Sequence, residues 1–143
     1  MATLKISDLS VGDWVYYDKG NTPYSIRSIY RTGIQDCVVL NDSVFPEGVI
    51  GFVDRLKPIP ITAEILEKNG WSNDGMYATL RIDEHRHLEY YYHEHRLRKY
   101  YCGIDEWQNH AKVSDITFAV HCYSVHQLQH ALRLAGVEKE INL

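Results

Sequence analysis

The sequence predicts an α+β fold: a small SH3-like β-barrel or twisted sheet at the N-terminus, a short helix, further antiparallel strands and one amphipathic C-terminal helix. Three observations carry this. Short β-branched and aromatic runs separated by turn residues fill positions 1–60. Pro58-Ile59-Pro60 then breaks the pattern, because proline fixes φ and biases the preceding residue toward extended backbone. Finally, Ser124-Val125-His126-Gln127 opens a stretch whose apolar residues recur at helical spacing. With 143 residues and 45% hydrophobic content, the chain can bury a core without disulfide or metal staples. It is expected to be a single domain, with a barrel-like subdomain over 1–60 and an α+β subdomain over 61–143.

The first strand is expected over Val11 to Tyr17, where Trp14-Val15-Tyr16-Tyr17 is β-branched and aromatic. Lys19-Gly20-Asn21 reads as a turn, since Gly and Asn tolerate positive φ. The second strand, Tyr24 to Tyr30, places Tyr24, Ile26, Ser28 and Tyr30 on one face and Ser25, Arg27 and Ile29 on the other. The third, Cys37 to Leu40, stops at Asn41-Asp42, and the fourth, Val49 to Leu56, follows Pro46-Glu47-Gly48. After the prolines, Thr62 can cap a short helix from Ala63 to Lys68, Glu64 complements its dipole and Asn69-Gly70 stops it. Strands are expected at Met76 to Ile82 and Leu88 to Arg96, with Asp83-Glu84 near the turn between them. The stretch from Leu97 to Ser114 carries no clear pattern, and Ile116 to Tyr123 is strand-like. In the last element, Ser124 and Gln127 form a capping box and Gly136 ends the helix. Val125, Leu128, Leu132 and Ala135 share the inward stripe, whereas His126, His130 and Arg133 are expected to face water or a partner.

The net charge of −4 excludes a protein whose main task is coating extended nucleic acid, which needs a basic face. No apolar stretch is long enough for a membrane span, and MATLKISDLS lacks the apolar core of a signal peptide, so no membrane association is expected. Cys37, Cys102 and Cys122 lie far apart, which does not support a disulfide framework and fits a reducing cytoplasm.

Three short pieces, in this order along the chain, bear a family resemblance. They are Val11-Gly12-Asp13-Trp14-Val15, then Leu56-Lys57-Pro58-Ile59-Pro60-Ile61-Thr62 leading to a helix ending at Asn69-Gly70-Trp71, and Tyr123-Ser124-Val125-His126-Gln127-Leu128-Gln129. With them the chain resembles a group of small proteins of Bacteroidales bacteria and their phages or mobile elements. The segment from Asp83 to Asp115 departs from the group's pattern, so no function located there is carried over. The resemblance implies a genomic setting, and hence the cytoplasm of a bacterial host, but no reaction. Small phage-borne proteins without catalytic motifs often act by binding, including by sequestering host defence proteins or nucleotide signals.

Candidate chemistry concentrates in the divergent middle. Tyr90-Tyr91-Tyr92 is followed by Arg96, Arg98, Lys99, Tyr100 and Tyr101; rings can stack on a base while guanidinium groups hold phosphate. From Arg81 to Tyr101 five Lys/Arg stand against four Asp/Glu, a balance that suits a small phosphate ligand or a protein partner. Tyr90, Tyr92, Arg96, Arg98 and Tyr100 are the candidate ligand contacts. The structural alternative is that alternate tyrosines fill the sheet core and the basic residues solubilise an edge strand. His85, His87, His93 and His95 form two His-x-His pairs, each of which could present two imidazoles to zinc from one strand face; the competing and favoured reading is a polar turn and a solvated sheet face, where these histidines need no ligand. His126 and His130, four apart on a helix, could chelate as well. No nucleophile elbow, phosphate-binding glycine loop, dinucleotide fingerprint or zinc-protease helix occurs. Cys122 beside His121 would point to the opposite strand face, and Asp105-Glu106-Trp107 reads as a carboxylate site or an anchored loop.

The sequence therefore favours a non-enzymatic binding protein of phage or mobile-element origin that requires no cofactor. Its expected role is to antagonise host defence by sequestering a nucleotide signal or a host protein. The alternatives are a His-rich metal-binding protein or zinc hydrolase, and a structural or assembly subunit whose tyrosine-rich sheet joins protomers in a homo-oligomer.

Overall fold

The computed structural model describes residues 4–101 and 115–143 and is mixed α+β, with two antiparallel sheets of five strands each. Two compact units divide the chain: Met1–Pro60 with Ser124–His126 and Leu143, and Ile61–Tyr123 with Gln127–Asn142. Cys102, Asp105, Glu106 and Trp107 lie outside the described residues. Among the described residues, no helix is long and apolar enough to cross a membrane.

In the first unit, β1 (Trp14–Tyr17), β2 (Pro23–Tyr30), β3 (Cys37–Leu40), β4 (Val49–Phe52) and β5 (Leu56–Lys57) form one sheet in the order β4-β3-β2-β1-β5. The sheet is open, so of the two expected forms the twisted sheet is the one observed, and the barrel is not closed. The expected strand from Val49 to Leu56 is interrupted by a turn of 3₁₀ helix at Val53–Arg55, which leaves only two residues for β5. A register shift between Ile26 and Ser28 bends β2 and changes which residues face inward. Ile26 pairs with Leu40 and Ile29 with Val38, so Ile29 turns to the core while Tyr30 is left exposed. The core consists of Leu9, Val15, Ile26, Val38, Leu40, Val53 and Leu56. Gly48 is required before β4, because its φ is +87° and a Cβ there would lie 2.7 Å from the Leu40 carbonyl oxygen.

In the second unit, Thr62 Oγ1 accepts from the Ile65 N–H at 3.3 Å and caps α1 (Ala63–Lys68). The sheet runs β10-β9-β8-β7-β6, built from β6 (Ser72–Asn73), β7 (Tyr77–Arg81), β8 (Arg86–Tyr91), β9 (Arg96–Tyr101) and β10 (Asp115–His121). Thus the expected strand from Leu88 to Arg96 is a hairpin, and part of the unassigned stretch is β9. The turn between β8 and β9 contains neither Gly nor Asn; His95 takes the left-handed conformation at φ +53°, which His tolerates better than most side chains. Hydrogen bonds hold it: the Tyr90 hydroxyl lies 3.1 Å from His95 Nδ1, and the Cys122 N–H donates to the His95 carbonyl at 2.8 Å.

One face of this sheet carries Ala78, Leu80, Leu88, Tyr90 and Leu97, all buried. Lys99, on the same face opposite Leu88, donates from Nζ to the Ala135 carbonyl at 2.6 Å, just past α2 (Val125–Leu134). A cation there complements the helix C-terminus. Leu128, Ala131, Leu132 and Ala135 are buried. The expected capping box differs in detail: Gln127 Oε1 accepts from the Tyr123 N–H at 2.7 Å, and Ser124 Oγ lies 3.0 Å from His126 Nδ1. His126 is accordingly buried rather than exposed on the outer face of the helix, whereas Arg133 is exposed.

Candidate functional site

The opposite face of the second sheet is assembled row by row from strand register. Tyr77 pairs with Tyr91 and Tyr91 with Arg96; Thr79 pairs with Glu89 and Glu89 with Arg98; Arg81 pairs with His87 and His87 with Tyr100. Side chains at directly opposed positions share a face, so these nine form a lattice of rings and charges. In the third row His87 and Tyr100 are buried and Arg81 is exposed, and the His87 and Tyr100 rings stack at a centroid distance of 5.0 Å. The other two rows remain half-exposed and border a depression of about 180 Å³ lined by Tyr77, Glu89, Tyr91, Glu94, Arg96 and Arg98.

The turns at both ends of β7 are built by aspartates. Asp74 Oδ1 accepts from the Met76 and Tyr77 N–H groups, and Asp83 Oδ1 accepts from those of His85 and Arg86. Asp83 also pairs with the Arg86 guanidinium, whose hydrogen bond is the main reason its carboxyl is held down to about 2. These turns set the β7–β8 register, which brings the Tyr77 and Tyr91 rings into a stack 4.8 Å apart and 22° from parallel.

Glu89 lines the depression. Its carboxylate accepts a long hydrogen bond of 3.4 Å from the Tyr100 hydroxyl, which also lies 3.4 Å from Arg98 Nη1. Burial pushes the Glu89 carboxyl above its ordinary range, with Tyr100 and Arg98 opposing that shift. Burial likewise raises the Tyr77 phenol, with Glu89 adding to the effect. Arg98 is held charged first by its bond to Tyr100. At the rim, Arg96 pairs with Glu94 at 2.5 Å. Among the described residues, that contact occupies only one of its several donors.

Of the residues singled out from sequence, Arg96, Arg98 and Tyr100 stand together on this face, with Arg96 and Arg98 lining the depression. Tyr90 does not join them. It is wholly buried on the other face, its hydroxyl donates to the Cys122 carbonyl at 2.7 Å, and burial raises its phenol. Tyr92 lies in the turn after β8, edge-on to Tyr90 at 5.4 Å, and its hydroxyl has no hydrogen-bond partner among the described residues.

The histidines are distributed differently from two strand-borne pairs. His85 lies in the β7–β8 turn and stacks on Tyr101, whereas His87 is buried beside Tyr100, where desolvation lowers its imidazole. His93 and His95 are in the β8–β9 turn; His93 packs near Tyr91 and His95 beside Tyr123. Among the described residues, no three His, Cys, Asp or Glu side chains come together in a group that could hold a metal ion. Cys122 is buried, and desolvation pushes its thiol up to about 12, which keeps it protonated and unreactive.

Tyr77, Tyr91, Glu89 and Glu94 were missed as site residues by sequence reasoning. The signal that finds the first three is the Asp83 turn, which fixes Tyr77 opposite Tyr91 and Thr79 opposite Glu89. Comparison of the chain with family models, curated proteins and solved structures finds no match.

Proposed function

We propose that this face binds a nucleotide and that the protein acts by binding rather than by catalysis. The observation carrying the reading is the juxtaposition, around one depression, of the stacked Tyr77–Tyr91 pair with Arg96, Arg98 and Glu89. Half-exposed rings supply surface for stacking a base, a contribution of about 1–3 kcal/mol per base. Arg96 at the rim retains donors for a phosphate, and guanidinium recognises phosphate bidentately. The depression, at about 180 Å³, is below the roughly 300–1,000 Å³ of typical drug-sized sites, which favours a single base with its phosphate. In the genomic setting implied by the resemblance, such binding would sequester a nucleotide signal used in host defence.

Calorimetric titration with the four ribonucleoside 5′-monophosphates and with a short single-stranded oligonucleotide tests the reading. At least one monophosphate should bind, and the double variant Arg96→Ala/Arg98→Ala should lose it while keeping its circular dichroism spectrum. Absence of binding by every monophosphate, or retained affinity in the folded double variant, would remove the site. A much tighter oligonucleotide complex would replace the small ligand by a strand.

A further inference from the structure

Glu89 and Arg98 are directly opposed on neighbouring strands and both line the depression, yet among the described residues each makes only one long side-chain hydrogen bond, to the Tyr100 hydroxyl. A carboxylate with unused acceptor sites thus stands beside a guanidinium with unused donors, in a partly desolvated position bordered by Tyr77 and Tyr91. Ligand groups that meet both must present two adjacent donors and then an acceptor along one planar edge. Guanine does so: its N2 amine and N1–H are donors, and O6 is an acceptor.

We infer that the site selects guanine nucleotides, with Glu89 accepting from N1–H and the N2 amine and Arg98 donating to O6. This specificity rests on the nucleotide-binding reading above. Adenine offers one donor and one acceptor on the corresponding edge, and uracil and cytosine one donor each, so they leave part of the Glu89–Arg98 pair unmatched. A partly buried polar group left unmatched penalises the wrong ligand more than a matched one rewards the right ligand. Tyr100 is a positioning residue: its hydroxyl lies between the carboxylate and the guanidinium and orients both.

Titration of the native protein with GMP, AMP, UMP, CMP and inosine monophosphate tests the inference. GMP should bind at least about tenfold more tightly than AMP, and inosine monophosphate, which lacks only the N2 amine, should fall between them. Glu89→Gln keeps the side-chain shape but replaces one acceptor oxygen by a donor amide, so it should remove most of the preference for GMP over AMP. Equal binding of GMP and AMP, or a preference untouched in Glu89→Gln, would overturn the guanine assignment and leave nucleotide binding standing. Silence of all five ligands would overturn both.

Discussion

Tyr90 and Tyr91 are adjacent in sequence and point to opposite faces of β8, so two substitutions one position apart should have separable effects. Tyr90 is wholly buried, and its hydroxyl donates to the Cys122 carbonyl at 2.7 Å. Tyr90→Phe removes that donor, and with it the hydroxyl's 3.1 Å contact with His95 Nδ1, without changing ring volume. The expected loss is about 1–3 kcal/mol, the cost of depriving a buried acceptor of its partner. With a denaturant slope of about 1–3 kcal/mol/M, the urea midpoint should fall by roughly 1 M. Nucleotide affinity should stay within twofold of the parent. Tyr91 is half-exposed and stacks on Tyr77; Tyr91→Ala should cost about 0.5–1.5 kcal/mol of folding stability through the lost ring pair. It should weaken nucleotide binding by about 1–3 kcal/mol, or about 5- to 150-fold in Kd. Urea unfolding followed by circular dichroism and calorimetric titration measure the two effects on the same preparations. Normal binding by Tyr91→Ala, or loss of binding by a Tyr90→Phe variant with an unchanged midpoint, would refute the assignment of the faces.

Asp83 and Lys99 give further tests away from the ligand. The folded-state carboxyl of Asp83 is depressed to about 2 by Arg86 and by backbone donors, against about 3.9 for an unstructured aspartate. Its stabilising contribution is therefore fully present above about pH 4 and lost as the pH falls toward 2. An NMR titration should place its midpoint near 2, and a midpoint near the unstructured value would show that the Arg86 pair does not persist in solution. Lys99→Met deletes the 2.6 Å bond to the Ala135 carbonyl and the charge at the end of α2. About 1 kcal/mol should be lost, with faster amide exchange in the last turn of the helix; unchanged exchange would dissociate Lys99 from the cap.

The helices were legible because local chemistry determines them. Thr62 and Asn69-Gly70 bound α1, and the spacing of Leu128, Leu132 and Ala135 identifies the inward stripe of α2. His126 shows the limit of that projection, since its place near the helix start lets Ser124 satisfy it in a buried position. In the first sheet the strands were legible but their facing was not. The irregularity in β2 between Ile26 and Ser28 reverses the alternation from there on, and nothing in Arg27 itself announces it.

The second sheet failed at one point, and that point decided which residues form the candidate site. Residues 88–96 alternate convincingly enough to read as one strand, because a turn without Gly, Pro or Asn is hidden when His95 supplies the left-handed residue. Once the turn spans Tyr92 to His95, Tyr91 pairs with Arg96, and odd positions of β8 share a face with even positions of β9. Reading one continuous strand from Leu88 to Arg96 instead assigns Tyr90, Tyr92 and Arg96 to a common face. The identity of the residues was therefore sufficient to suggest rings and guanidinium groups, but their combination depended on the length of a turn. Strand register makes this dependence sharp, since a shift by one residue exchanges the two faces completely. Shortening the β8–β9 turn by one residue would direct Leu97 and Lys99 toward the depression and Arg96, Arg98 and Tyr100 toward the core face, where three polar side chains would replace the buried Leu97 and the helix-capping Lys99. The buried face thus fixes the register, and through the register it brings Glu89 and Arg98 together on the open one.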